Sequence, residues 1–257
     1  MHSLLKKVYE TRSVFMPELM EKRNSESSRD MSDFLFNFRL KLLDNWDPKE
    51  NSLKYLEYSD MCSSSYGLSD DRTHGEHHKF EVLALGFELG KSFLNIKSSD
   101  ELDLLIIALN EHDEGRRVAG DMDHEEKGSI MTKLRMNGMF SPEDQDLVST
   151  AIEFHGAITV NHGNRSSKRN TAISKALFIA DKFAALDPTR HTSYALKKLN
   201  KNFDWSTFER QVVYTWHRAL RASYIGIKDL GLDFVNDFIS AEESVELILS
   251  VEAVGKG

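Results

Sequence analysis

A single cysteine, Cys62, stands in 257 residues, so no disulfide can close within the chain, and such sparse use fits a reducing compartment. Prolines number four and glycines fourteen, which leaves long stretches free for helices. No uninterrupted apolar run approaches the ~18 residues of a membrane span. The first residues carry two lysines but no long apolar core or small-residue cleavage site, so no signal peptide is expected. Positive charge is in deficit: the formal net charge is −8, which argues against a broad basic surface for duplex nucleic acid. Strand-like alternation and internal repeats are also missing. These absences together predict a soluble, cytoplasmic, all-α protein.

What is there fits that class. Apolar residues make up 40% and charged residues 29%, ordinary values for a globular chain, and the length suffices for a sizeable core. Apolar spacing predicts helices over 3–23, from about 32 to 44, over 74–94, from 99 to about 111, and over 123–137, 142–155 and 171–187. Two or three more follow, at roughly 193–201, 205–230 and 241–252. Ser99 is the expected cap of its helix, with Glu101 and Asp103 in the first turn. Ser141-Pro142-Glu143-Asp144 marks a clean start for another. Val82, Leu85, Phe87, Leu89 and Phe93 are the expected core positions of the 74–94 helix. One all-α domain is expected over 1–257, its centre at 72–190, with an N-terminal extension (1–71) and C-terminal helices (191–257).

The chemistry concentrates in the middle. Of ten histidines, His74, His77, His78, His112, His124, His155 and His162 fall there. The apolar run Leu104 to Leu109 leads directly into His112-Asp113, an imidazole and a carboxylate at the end of a core element. Asp181 lies in an otherwise apolar helical stretch, which is costly unless the carboxylate is paired or bound to a cation. His78, His112, Asp113 and Asp181 thus form a nitrogen and oxygen set suited to a divalent ion such as Mn, Fe, Co, Ni or Zn. His124 and His155 could bring nitrogen to a second ion, with Asp113 bridging. Blander readings stand beside each: a helix-terminal histidine for His112, a buried ion pair for Asp181, a core histidine for His155, a solvated charged face for His124. His77 competes with His78 for the first position, and His74 more weakly. His162, His191 and His217 read as surface residues.

The order His … His-Asp … Asp on successive helices resembles the HD superfamily of metal-dependent phosphohydrolases. His78-Lys-Phe-Glu-Val82 is similar to that family's first-ligand helix. Leu105-Ile-Ile-Ala-Leu-Asn-Glu-His112-Asp113-Glu-Gly115-Arg116 resembles its apolar run closed by His-Asp-x-Gly-Lys, with Arg116 in place of lysine. Ala151-Ile-Glu-Phe-His155 and Ile179-Ala-Asp181-Lys182 resemble its later ligand segments. The likeness covers about residues 72–190. It implies an HD-type helical bundle with added N- and C-terminal helices, binding one or two divalent ions (Mn, Fe, Co, Ni, Mg or Zn). It implies His78, His112, Asp113 and Asp181 as ligands, joined by His124 and His155 in the binuclear subtype.

The implied activity is hydrolysis of a nucleotide or related phosphate ester by metal-activated water. Asp113, Arg116 and Lys182 would form the catalytic set, and the loop residues Arg165 and Lys168 could help to neutralise phosphate charge. In the mononuclear subtype a glutamate usually stands where Arg116 does. Two alternatives use the same fold: a di-iron oxygenase with the same six ligands, and a non-catalytic signalling module. No membrane or duplex nucleic-acid partner is expected. Phe208, Val212, Trp216 and Leu220 recur at helical spacing and could serve a homodimer, although core packing explains them as well.

Overall fold

A computed structural model describes residues 76–119, 123–156 and 169–186, with isolated positions 43, 219 and 223. The continuous described segments form the helices α1 (Glu76–Ser92), α2 (Ser99–Glu111), α3 (Arg116–Ala119), α4 (His124–Met136), α5 (Pro142–Glu153) and α6 (Ala172–Ala184). Among the described residues there is no strand, so the all-α expectation holds. The expected helices before residue 74 and after 187 lie outside the described residues, as does the proposed dimer face. Residues 40–181 belong to one compact unit, and residues 1–39 with 182–257 to another.

α2 organises the first unit. Leu104 to Leu109 are all buried, five of them with no exposure at all, so over this run every side of the helix is apolar and covered. Each fully buried Leu or Ile contributes about 1.5–3 kcal/mol of hydrophobic burial. α1 packs along α2 through Gly86 and Gly90. A Cβ at either would stand within 2.1 Å and 2.5 Å of the Leu109 and Leu105 side chains. This close approach carries His78, near the start of α1, toward the end of α2. α5 packs on both α2 and α4, burying Val148, Ala151 and Ile152.

Two local expectations change. The cap of α2 is Ser98, whose Oγ accepts from the backbone N–H of Glu101; Ser99 is the first helical residue. Phe93 is 36% exposed, because α1 ends at Ser92 and helical spacing no longer sets its direction. The start at Ser141 is as expected: its Oγ accepts from the N–H of Asp144, and Pro142 takes the first helical position.

Candidate metal centre

The end of α2 supplies the first two side chains. His112 is the C-cap residue, and its Nδ1 lies 2.8 Å from the carbonyl oxygen of Leu109. His155, two residues past α5, repeats the device with Nδ1 2.6 Å from the carbonyl of Ile152. A carbonyl can only accept, so in both rings Nδ1 carries the proton and donates it. With Nδ1 so engaged, Nε2 is the nitrogen of each ring left to ligate a metal.

Those nitrogens meet others. His112 Nε2 lies 3.3 Å from His78 Nε2, and His78 Nε2 lies 3.3 Å from Asp181 Oδ1. The four rings stand edge to face in one row, His78–His112–His155–His124, with centroids 5.2–5.7 Å apart. Asp113 runs alongside. Its Oδ2 is 3.6 Å from His112 Nε2 and 3.8 Å from His78 Nε2. Its Oδ1 is 3.6 Å from His124 Nε2 and 3.9 Å from His155 Nε2. Two groups of potential ligands result, His78-His112-Asp113 and Asp113-His124-His155. They share one carboxylate, an oxygen to each.

The row reaches Asp113 because α4 comes close to the turn after α2. A Cβ on Gly115 would stand 1.9 Å from the His124 carbonyl oxygen and 2.5 Å from the Gly128 nitrogen. Only glycine allows that backbone contact, and it sets His124 beside Asp113. Asp123, with φ +58°, bends the chain into α4; aspartate tolerates this left-handed conformation better than most residues. Behind the same turn, Arg135 of α4 donates to the buried carboxylates of Glu111 and, at 3.4 Å, Glu114. Burial pushes the Glu111 carboxyl above its ordinary range; the Arg135 charge opposes that shift and the Glu114 charge adds to it.

The donor chemistry fits a divalent cation. Ligand atoms about 2.1 Å from a common ion stand roughly 3.0–3.4 Å from one another, and those in this row are 3.3–3.9 Å apart. The four histidines and Asp181 are at most 7% exposed, so converging lone pairs and carboxylates here have little water to solvate them. Imidazole with carboxylate is a borderline-to-hard set suited to Mn, Fe, Co, Ni or Zn.

All six residues expected as ligands therefore gather in one place, within the unit of residues 40–181. It is the ring of His78 that stands in the row; the side chain of His77, like His74, Arg165 and Lys168, lies outside the described residues. His124 is buried, against the solvated-face alternative. Arg116 is placed at the site, its Nε donating to Asp113 Oδ1 at 2.7 Å. Lys182 follows Asp181 in α6, is half-buried, and is assigned to the other unit.

Two features escaped the sequence reading. Glu125 Oε2 lies 3.2 Å from His124 Nδ1, a carboxylate behind a histidine, for which the His124-Glu125 adjacency was the only signal. Arg169 donates to the Phe154 carbonyl and stacks on Phe178 at 4.1 Å. No helix among the described residues is long and apolar enough to cross a membrane. Comparison with protein-family models, with curated proteins and with solved structures returned no match.

Proposed function

We propose that the chain is a metal-dependent phosphohydrolase of the HD type, acting on a nucleotide or related phosphate ester. The observation that carries the reading is Asp113, whose two oxygens each face a separate pair of imidazoles. A divalent ion held there would lower the pKa of a bound water toward neutrality and polarise a phosphoryl oxygen. The chain's own part is to fix the geometry beforehand. Leu109 and Ile152 hold the rings of His112 and His155 through their carbonyls, which spares reorganisation during reaction. Arg116, half-buried beside Asp113, is suited to pair with a phosphate oxygen. Lys182 is a second candidate for that role.

The same six-residue set supports a second reading, a di-iron oxygenase. The two separate in a screen of nucleotides, cyclic dinucleotides and dinucleoside polyphosphates with Mn, Fe, Co, Ni, Mg and Zn under air and under nitrogen. Phosphate or phosphomonoester release that needs a metal but not oxygen is the expected result. Oxygen consumption without such release would overturn the hydrolase reading in favour of the oxygenase.

A further inference from the structure

The segments that bring His155 and Asp181 to the row are joined by a side chain that stands outside it. The guanidinium of Arg169 donates to the Phe154 carbonyl oxygen at 3.2 Å and lies over the Phe178 ring, 4.1 Å from its centroid. Both contacts sit next to the site. The Phe154 carbonyl belongs to the same planar peptide group as the His155 nitrogen, so whatever holds this oxygen also sets the backbone that carries the His155 ring. Phe154 is the C-cap of α5, where carbonyls run out of partners within the helix and form the negative end of its dipole, a favourable place for a cation. Phe178 precedes Asp181 by three residues on α6, so the two side chains leave neighbouring parts of the helix surface. It is 2% exposed and offers a fixed platform. The start of α6 is fixed as well: Thr171 Oγ accepts from the N–H of Ser174 at 3.1 Å, the arrangement of an N-cap, two residues after Arg169.

Resting on the metal-centre reading above, we propose that Arg169 is a positioning residue: it clamps the peptide ahead of His155 onto α6 and so places the His155 ring in the His124–His155 half of the row. The ring needs such a hold. His155 stands two residues beyond α5, where the regular hydrogen-bond ladder of the helix has ended. The Ile152 carbonyl, 2.6 Å from Nδ1, sets how the ring is turned. Arg169 sets where the residue stands, and with it the separation between His155 Nε2 and Asp113 Oδ1, now 3.9 Å. A charge-assisted bond to the carbonyl is stronger than a neutral one. The flat guanidinium can make that bond and lie on a buried ring at the same time, which ties the end of α5 to α6 through one side chain.

The test is a Co²⁺ titration of the metal-stripped full chain, followed through the visible absorption of bound Co²⁺, whose bands report the number and kind of its ligands. Wild type is compared with Arg169→Met, Arg169→Ala and Arg169→Lys, each checked for native circular dichroism. Methionine keeps the length and a favourable contact with the Phe178 ring but has no donor for the Phe154 carbonyl. Alanine is a second variant without the donor, in case one of the two fails to fold. Lysine keeps both donor and charge. The expected result is Co²⁺ binding about tenfold weaker in Arg169→Met and Arg169→Ala, the low end for loss of a group that holds a ligand in place, with a changed visible spectrum. Arg169→Lys recovers most of the affinity and the wild-type spectrum. Wild-type affinity and spectrum in a folded variant without the donor would overturn the proposal and leave Arg169 as a brace of the fold alone. A loss that lysine does not recover would overturn it too, since the loss would then not follow from the bond to the carbonyl. Absence of Co²⁺ binding by wild type would instead overturn the metal-centre reading itself.

Discussion

Glu125 reaches His124 because residue 156 has no side chain. A Cβ at Gly156 would lie 2.0 Å from Glu125 Oε1, so alanine there forces the carboxylate to withdraw from the His124 Nδ1, now 3.2 Å away. A carboxylate on the far nitrogen of a ligating imidazole orients the ring and raises its basicity, and its loss typically costs 10- to 100-fold in metal affinity. Gly156→Ala is therefore expected to weaken metal binding at the His124–His155 half by about tenfold while leaving the melting temperature nearly unchanged. The clash is with the end of a flexible side chain, which can move aside at small cost. Metal titration paired with thermal unfolding checks this, and unchanged affinity would show that Glu125 has no part in holding His124. His112 and His155 use backbone carbonyls for the same purpose, which no side-chain substitution at Leu109 or Ile152 would remove.

Among the elements, the contact between α4 and the turn after α2 decides whether a site exists. Gly115 permits it at the front, and Arg135 secures it behind by joining Glu111 and Glu114, residues that flank the His112-Asp113 pair. Arg135→Ala would leave two buried carboxylates without this cation, and removing one partner of such a network destabilises by about 3–5 kcal/mol, toward the lower end here because Arg135 is partly exposed. Urea unfolding should show that loss; a change under about 1 kcal/mol would mean that the turn is held by its backbone packing alone. Parts of this were legible in the sequence. The apolar run of α2 and the Ser141-Pro142 start are local signals, and both stand as expected. Phe93 and Ser99 were misplaced because helix limits shift by a residue or two according to which side chain reaches a free N–H. The burial of His124 was not legible, since its neighbours Asp123, Glu125, Glu126 and Lys127 are those of a solvated face. The Gly115–His124 contact turns that stretch inward, and such a contact is tertiary.

At the scale of the whole chain, the six residues come from five segments spread over Glu76–Asp181, yet all lie within one compact unit. The order of these segments is what made the set readable from sequence: His78 opens α1, His112-Asp113 closes α2, His124 opens α4, His155 follows α5, and Asp181 lies near the end of α6. The sequence already suggests Asp113 as a bridge; the structure adds which oxygen faces which pair of rings. That division makes Asp113 the residue on which both halves depend. The direct measurement is metal content per chain by elemental analysis after equilibrium dialysis against Mn²⁺, in wild type and in Asp113→Ala, each verified as folded. Wild type should retain bound metal, and Asp113→Ala should lose it from both halves although all four histidines and Asp181 remain. Retention of wild-type metal content by Asp113→Ala would show that Asp113 holds no metal, and a wild-type chain that emerges free of metal would show that the row of histidines is not a metal centre.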